Sequence, residues 1–213
     1  MVSKKIQVEK NHYYKDYDDL PRFISYFYQI DAIEKLKVKE VFEVGIGNGF
    51  LSNYLKRMGI KVITCDIDKN LNPDYVSDIR SINIKKEFEC VTAYEILEHM
   101  PFRDFELNLR NLSKLSKKYV IISIPYSTAY LEFAVKFPFI KKLMGKELIN
   151  VLVSIPFFFS KKGWDKTHSW ELGRRGYPKS RIKRILRKQF KIVREFRPPL
   201  VPHHYFFVLE KLN

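Results

Sequence analysis

The chain has 213 residues, 46% of them hydrophobic and 15% aromatic, which is enough for one continuous core and one domain with modest additions. Its formal charge of +15 and pI near 9.6 suit a surface that attracts phosphates, nucleic acid or anionic lipid headgroups, and charge alone does not choose among them. The two cysteines, Cys65 and Cys90, lie in apolar runs with neither a disulfide framework nor a metal spacing, so they read as reduced core residues of a cytoplasmic protein; Met1 to Lys10 lacks the apolar core of a secretory signal or an anchor.

From Val41 onward short apolar runs alternate with helix-period segments, the pattern of βαβ units feeding a parallel sheet. The first strand is predicted at Val41 to Val44, followed by a glycine-rich turn and a helix from about Phe50 to Met58 that Gly59 closes as a C-cap. A second strand covers Lys61 to Cys65. After the turn residues Asn70, Asn72 and Pro73, Tyr75 to Ser77 reads as a short strand and Phe88 to Ala93 as another. Pro101 opens a helix in which Phe105, Leu109, Leu112 and Leu115 recur at helical spacing, and Tyr119 to Ile124 is a fifth strand. Pro178 opens a helix with an apolar stripe of Ile182, Ile185, Leu186 and Phe190. Strands at about Lys191 to Phe196 and Tyr205 to Glu210, parted by Pro198 to Pro202, close the chain.

Between Ser127 and Tyr177 aromatics, basic residues and prolines mix without a clean period, and this stretch reads as a helical insertion after the fifth strand. Lys136 and Pro138 interrupt Tyr130 to Ile140, and Leu148 to Phe159 contains Asn150, Ser154 and Pro156, so neither supplies the roughly 20 apolar residues of a spanning helix. With Lys141, Lys142, Lys146, Lys161 and Lys162 around it, the insertion is left three readings: packing on the domain, lying on an anionic membrane surface, or covering an apolar substrate. Further on, Arg174, Arg175, Lys179, Arg181, Lys183, Arg184, Arg187, Lys188, Lys191, Arg194 and Arg197 face only Glu171 and Glu195, which reads first as a solvated basic surface.

Gly45, Gly47 and Gly49 directly after a buried strand let backbone approach a bulky ligand, because each glycine removes a Cβ or permits positive φ. The dinucleotide fingerprint wants a glycine one place after the third of these, where Phe50 stands. The second strand ends in Thr64-Cys65-Asp66-Ile67-Asp68, about 20 residues past the glycine turn, where an acidic side chain accepts hydrogen bonds from ribose hydroxyls. Asp66 is the better placed for that, and Asp68 has the alternative of capping the next turn.

Glu43 precedes the first glycine by two places, and the resulting Glu-x-Gly-x-Gly-x-Gly resembles the first motif of the class I S-adenosylmethionine-dependent methyltransferases. The segment Thr92-Ala93-Tyr94-Glu95-Ile96-Leu97-Glu98-His99-Met100-Pro101 is similar to the Glu-x-Leu-Glu-His motif of many small-molecule members. The resemblance covers nearly the whole chain, for Tyr17 to Tyr26 and His168 to Pro178 look like segments of one uncharacterised microbial subfamily. It implies a doubly wound, mostly parallel seven-stranded sheet of the Rossmann-like kind, with residues 1–40 as an N-terminal helical cap and 127–177 on the substrate side. It implies S-adenosylmethionine held by Glu43, Gly45, Gly47, Gly49, Asp66 and Ile67, with Asp78 and Ile79 at the adenine and Tyr94 and Glu95 near the methionine part. The product is then S-adenosylhomocysteine, Glu98 and His99 stand at the rim of the reaction site, and Tyr14, Arg22, Tyr26, Tyr126, His168 and Trp170 are candidate pocket residues.

Methyl transfer is an in-line displacement at an already activated carbon, so positioning supplies much of the catalysis and no triad is required. A hydroxyl nucleophile gains from a base with a pKa near working pH, which makes His168 and His99 the candidates. Enzymes that methylate amino groups of adenine or glutamine have Asn/Asp-Pro-Pro-aromatic where this chain has Thr92-Ala93-Tyr94-Glu95; its Ile124-Pro125-Tyr126 follows the fifth strand instead. Pyrimidine carbon methylation needs a cysteine nucleophile near a proline, and neither Cys65 nor Cys90 is so placed. Small-molecule, lipid-like or glycan acceptors are favoured. RNA is the alternative substrate, and a non-catalytic basic adaptor for membrane or nucleic acid is the alternative of another class.

Overall fold

Val41, Phe42, Glu43 and Val44 are all buried, and a strand covered on both faces belongs in the middle of a sheet. In the computed structural model, which describes residues 10–15, 17–136, 139, 141–142, 145, 149–160 and 166–212, this strand is β1 (Glu40–Val44) and it is central. It pairs in parallel with β2 (Lys61–Asp66) on one side and β4 (Phe88–Tyr94) on the other. Outside these lie β3 (Tyr75–Val76) and β5 (Ser116–Pro125), also parallel to their neighbours. Of the last two strands, β9 (His204–Lys211) pairs antiparallel with β5 and β8 (Phe190–Phe196) antiparallel with β9, so β9 alone runs against the rest in the order β3-β2-β1-β4-β5-β9-β8. The sheet is therefore the mostly parallel, seven-stranded one expected from the sequence.

Helices cover both faces. Asp19 caps α1 (Leu20–Glu34) by accepting from the Arg22 amide at 2.8 Å, and Pro21 needs no partner for its nitrogen in the first turn. Together with α2 (Phe50–Arg57), α1 closes one face over Val41, Val62, Cys90, Ile121 and Val208. On the opposite face α3 (Phe105–Leu115) and α4 (Lys179–Leu186) press Leu109, Leu112, Ile182 and Leu186 onto Phe42, Val91, Ile122 and Phe207. Each fully buried side chain of this size stabilises by about 1.5–3 kcal/mol, which fixes the sheet and the backbone at its ends. Cys65 and Cys90 are buried free thiols. Among the described residues no helix is long and apolar enough to cross a membrane.

Two expectations change. Phe190 does not end the α4 stripe but opens β8, because the helix stops at Leu186. Among the described residues of the insertion, an antiparallel ribbon of β6 (Thr128–Val135) and β7 (Ile149–Pro156) stands where helix was expected, with Lys141 and Lys142 helical between its strands. The physical reason is a period of two rather than 3.6: Val151, Val153 and Ile155 share one side of the pleat, and Asn150, Leu152 and Ser154 the other. The ribbon is amphipathic in an inverted sense. Thr128 and Ser154 accept from the Arg197 guanidinium at 2.8 and 2.6 Å and Glu132 accepts from the Leu200 amide, so the polar side holds the domain. Leu131, Phe133, Val135, Val151, Val153 and Ile155 are 41–62% exposed on the other side. Lys146, Lys161 and Lys162 lie outside the described residues, as do residues 1–9.

Candidate active site

At the carboxyl ends of β1, β2, β4 and β5 a cleft of about 730 Å³ opens, bounded by the glycine turn, the N-terminal segment and a late loop around His168. Gly45 has φ +84°, and a Cβ there would fall 2.2 Å from Ile96 Cδ1. Its amide donates to the Cys65 carbonyl at 2.8 Å, which extends β1 pairing into the turn. Asp66 locks the turn from the next strand: its Oδ2 accepts from the Ile46 amide at 3.0 Å and its Oδ1 from the Asp68 amide at 2.9 Å. Burial nonetheless raises the Asp66 pKa, against the pull of those amides. Under the turn burial pushes the Glu43 carboxyl up to about 8, with Lys56 opposing, and its Oε2 is enclosed without a hydrogen-bond partner among the described residues.

The N-terminal segment folds over this turn. Tyr13 stands over Gly47, with its Cε1 3.7 Å from where a Cβ would be, and packs edge-on against Tyr17. Arg22 lies over the Tyr17 ring, and Tyr26 stacks on Phe50 at 4.4 Å. Asn48 ties the parts together: its amide donates to Asp18, its Oδ1 accepts from the Phe50 amide, and Tyr26 also donates to Asp18 at 3.0 Å.

At the end of β4, Glu95 adopts φ +52°, a left-handed conformation that a non-glycine residue takes only when its surroundings enforce it. Its amide donates to the Ser123 carbonyl and Oγ at 3.2 and 3.1 Å. Burial pushes its carboxyl up to about 7, opposed by the Ser123 hydrogen bond and by His168 and Arg22. Glu95 Oε2 lies 3.6 Å from His204 Nε2, and Oε1 is buried. Burial depresses the His204 pKa well below the ordinary range, and its Nδ1 meets Ser25 Oγ at 2.9 Å.

The far rim is built by two segments that are distant in sequence. Ser169 donates from its amide to the Glu98 carbonyl at 2.8 Å and from Oγ to the His99 carbonyl at 3.3 Å, and Trp170 Nε1 donates to the Leu97 carbonyl. This zipper brings the His99 and His168 rings to 5.0 Å, with the buried Glu98 carboxylate between them. Behind them Glu171 accepts from His168, Ser127 and Arg174. Burial alone would raise the Glu171 pKa, but those three partners hold it down at about 2.

Of the residues singled out in the sequence, Glu43, Gly45, Gly47, Asp66, Ile67, Asp78, Ile79, Tyr94, Glu95, His99, His168, Arg22 and Tyr26 all border the one cleft. Gly49 borders no part of it; at φ +76° it caps α2. Asp78 carries a paired carboxylate, held by Arg80 at 2.6 Å, and Asp68 caps the short turn Lys69–Leu71. Three pocket candidates fall elsewhere. Trp170 is fully buried among Phe102, Phe105 and Tyr177, because the indole is the wedge that joins the late loop to the domain. Tyr126 packs against Tyr205 beneath Arg197, and Tyr14 is 64% exposed beside a shallow depression with Tyr54 and Arg57. His12, Tyr13, Tyr17, Gln29, His203 and His204 border the cleft without having been singled out. The pair His203-His204 was legible as a polar break ahead of an apolar closing strand.

The solved structures that resemble this one have the same architecture. The N-methyltransferase NodS of Bradyrhizobium japonicum, in complex with S-adenosylhomocysteine, superposes with TM-score 0.62 over 97% of this chain and 95% of its own, at 8% identity. The fold is that of the S-adenosylmethionine-dependent methyltransferases. Magnesium protoporphyrin IX methyltransferase of Synechocystis, with bound S-adenosylmethionine, matches this methyltransferase fold with TM-score 0.61 at 14% identity, covering 95% of this chain and 90% of its own. The didemethyltoxoflavin N1-methyltransferase of Burkholderia thailandensis matches with TM-score 0.58 at 13% identity over 95% of this chain and 85% of its own. In sequence, ribosomal RNA small subunit methyltransferase A of Mesomycoplasma hyopneumoniae is 36% identical over 76 residues, covering 32% of this chain and 29% of that protein. No family profile matches the sequence.

Proposed function

We propose that the protein transfers a methyl group from S-adenosylmethionine to a small, lipid-like or glycan acceptor. The observation that carries this reading is the continuity of the cleft from the glycine turn to the His99 and His168 rim, with a volume that holds a donor and a modest acceptor together. The residues fit the donor. At Gly45 a Cβ would collide with Ile96, and two enclosed carboxylates, Glu43 and Glu95, suit the cationic part of the donor. In this reading Asp66 offers its carboxylate to ribose hydroxyls while it holds the glycine turn, Ile67 and Ile79 flank the base, and Tyr13 and Tyr17 cover the site from water. The bound donor supplies a methyl group already activated by its sulfonium. The chain's task is alignment: Glu95, fixed by Ser123, and the His99–His168 rim, fixed by Ser169 and Trp170, hold the two reactants in one line.

Lipid-like acceptors are favoured by the ribbon. Its outward face presents six large apolar side chains, and the exposed Lys136, Lys141 and Lys142 follow β6. That combination suits the surface of an anionic membrane, with the apolar face in the acyl boundary and lysines at the headgroups. Vesicles containing anionic lipid should retain the wild type and release L131D/V153D; equal retention of both would overturn the lipid contact.

RNA is the second reading, and the partial likeness to a ribosomal RNA methyltransferase favours it. Calorimetry with S-adenosylmethionine tests the donor, and absence of binding at millimolar donor would leave the basic-adaptor reading in its place. Incubation of the protein and methyl-labelled donor with a lipid and metabolite extract, and separately with total RNA, tests the acceptor. Label in the extract is expected; label in RNA alone would replace the proposed acceptor class.

A further inference from the structure

Glu98, His99 and His168 are more specifically arranged than a pair of alternative bases requires. Glu98 Oε1 lies 3.9 Å from His99 Nε2 and 4.0 Å from His168 Nε2, and one ligand atom from each of the three residues falls within 4.8 Å of the other two. Both histidines turn the other ring nitrogen outward. His99 Nδ1 meets the Thr167 carbonyl at 3.4 Å, and His168 Nδ1 meets Glu171 Oε1 at 2.9 Å. A carbonyl only accepts, so Nδ1 of His99 donates to it, and Nε2 is the nitrogen that faces Glu98. His168 likewise turns Nδ1 to the Glu171 carboxylate and Nε2 to Glu98. A histidine whose Nδ1–H is anchored on a carbonyl or carboxylate while Nε2 faces an anionic oxygen is the arrangement in which imidazole ligates metal.

We propose that Glu98, His99 and His168 bind a divalent transition-metal cation of the zinc or manganese class, whose remaining positions open into the cleft and take a hydroxyl oxygen of the acceptor. Two imidazoles and a carboxylate suit such ions better than magnesium or calcium, which prefer all-oxygen sets. Bonds of about 2.0–2.2 Å place neighbouring ligand atoms roughly 3–3.5 Å apart, so the three side chains draw in by about 1 Å when the ion enters. The support behind them is in place. Glu171, which orients His168, is itself held by Ser127 and Arg174, and Ser169 and Trp170 fix the loop that carries His168 onto the turn that carries Glu98 and His99.

This inference rests on the methyl-transfer reading and narrows it to an oxygen acceptor. The cation lowers the pKa of the acceptor hydroxyl, whose proton leaves to solvent. The freed oxygen pair forms the new C–O bond as the donor's C–S bond breaks, and that electron pair stays on sulfur. His99 and His168 then act as ligands and not as bases.

The test uses the full chain, stripped with chelator and titrated with Zn²⁺, Mn²⁺ and Co²⁺ separately, and with S-adenosylmethionine as an independent arm. Saturable binding of one equivalent is expected, with visible Co²⁺ absorption bands and a raised thermal midpoint. H99A and H168A should each lose at least tenfold in metal affinity, and E171Q, which leaves all three ligands intact, about 10–100-fold. Unchanged S-adenosylmethionine affinity certifies that each variant is folded. H99Q and H168Q serve where an alanine variant fails that check. No saturable binding of any of the three ions up to millimolar concentration, or binding that the histidine variants leave unchanged, overturns the site. Failure of the methyl-transfer reading is distinguishable, because it would appear as absent donor binding while the metal arm stands.

Discussion

The two walls of the cleft are built by different means. The wall proposed to take the donor, the donor wall, is backbone: strand ends, a glycine turn at positive φ, and Asp66 holding that turn through main-chain amides. The wall proposed to take the acceptor is side chains from two segments about 70 residues apart, zipped by Ser169 and Trp170 onto the Leu97–His99 turn. A wall of local backbone tolerates distant change and fails at single positions within it. A wall of tertiary contacts fails when its wedge is removed.

The largest expected effect tests the second half of that contrast. Trp170→Ala removes a fully buried indole from among Phe102, Phe105 and Tyr177, and should cost about 3–5 kcal/mol in urea unfolding. Donor affinity of the folded fraction should change less than about threefold, which is under 1 kcal/mol. Loss of donor binding in a folded W170A protein would mean that the walls are one unit.

Gly45→Val tests the first half. Its Cβ would meet Ile96, and even if Ile96 swings away, φ +84° is a conformation that a β-branched residue does not adopt. Calorimetry should register a loss of donor affinity of at least about 100-fold, equivalent to about 2.8 kcal/mol. An affinity within tenfold of wild type would show that the turn does not form the donor wall.

The same contrast explains what was legible in the sequence. The positions of the sheet's strands, the glycine turn and Asp66 follow from local signals, since buried runs, positive-φ glycines and strand ends each carry their own pattern. The ribbon did not, because Val151, Val153 and Ile155 alternate over too few residues, among prolines and aromatics, for period two to stand out from a helical stripe. Trp170 was misplaced for a related reason. Aromatic residues near a site have the same signature whether they face the ligand or support the loop, and only the packing decides. His204, buried against Glu95 and Ser25, depends on a pairing between the last strand and α1 that no local spacing announces.

A smaller effect is expected from pH. The Glu43 carboxyl has its pKa raised by burial from 4.5 to about 8 in the folded chain, so between those values the folded state binds a proton that the unfolded state has lost. Its contribution is complete below about pH 4.5 and declines as pH rises through 8, at no more than about 1.4 kcal/mol per pH unit for one proton. The donor's cationic group favours the ionised carboxylate, so donor affinity should rise over the interval in which the free protein loses stability. Urea midpoints at pH 6 and 8.5, with and without donor, check both signs, and Glu43→Gln should flatten both trends. A midpoint without donor that is unchanged or higher at pH 8.5 in the wild type would contradict the assignment.

The smallest effect is the sharpest test of where the donor wall ends, since it compares adjacent residues. Tyr13 stands over Gly47 with its ring against Tyr17, whereas Tyr14 is 64% exposed and turned to the depression by Tyr54 and Arg57. Tyr13→Ala should uncover the glycine turn and weaken donor binding about tenfold, or roughly 1.4 kcal/mol. Tyr14→Ala should leave donor affinity within about twofold, because an exposed ring outside the cleft has no contact with the donor to lose. If the two variants weaken binding equally, the Lys10–Tyr14 turn acts as a whole by ordering the N-terminal segment. The boundary of the donor wall would then lie at that turn and not at the Tyr13 ring.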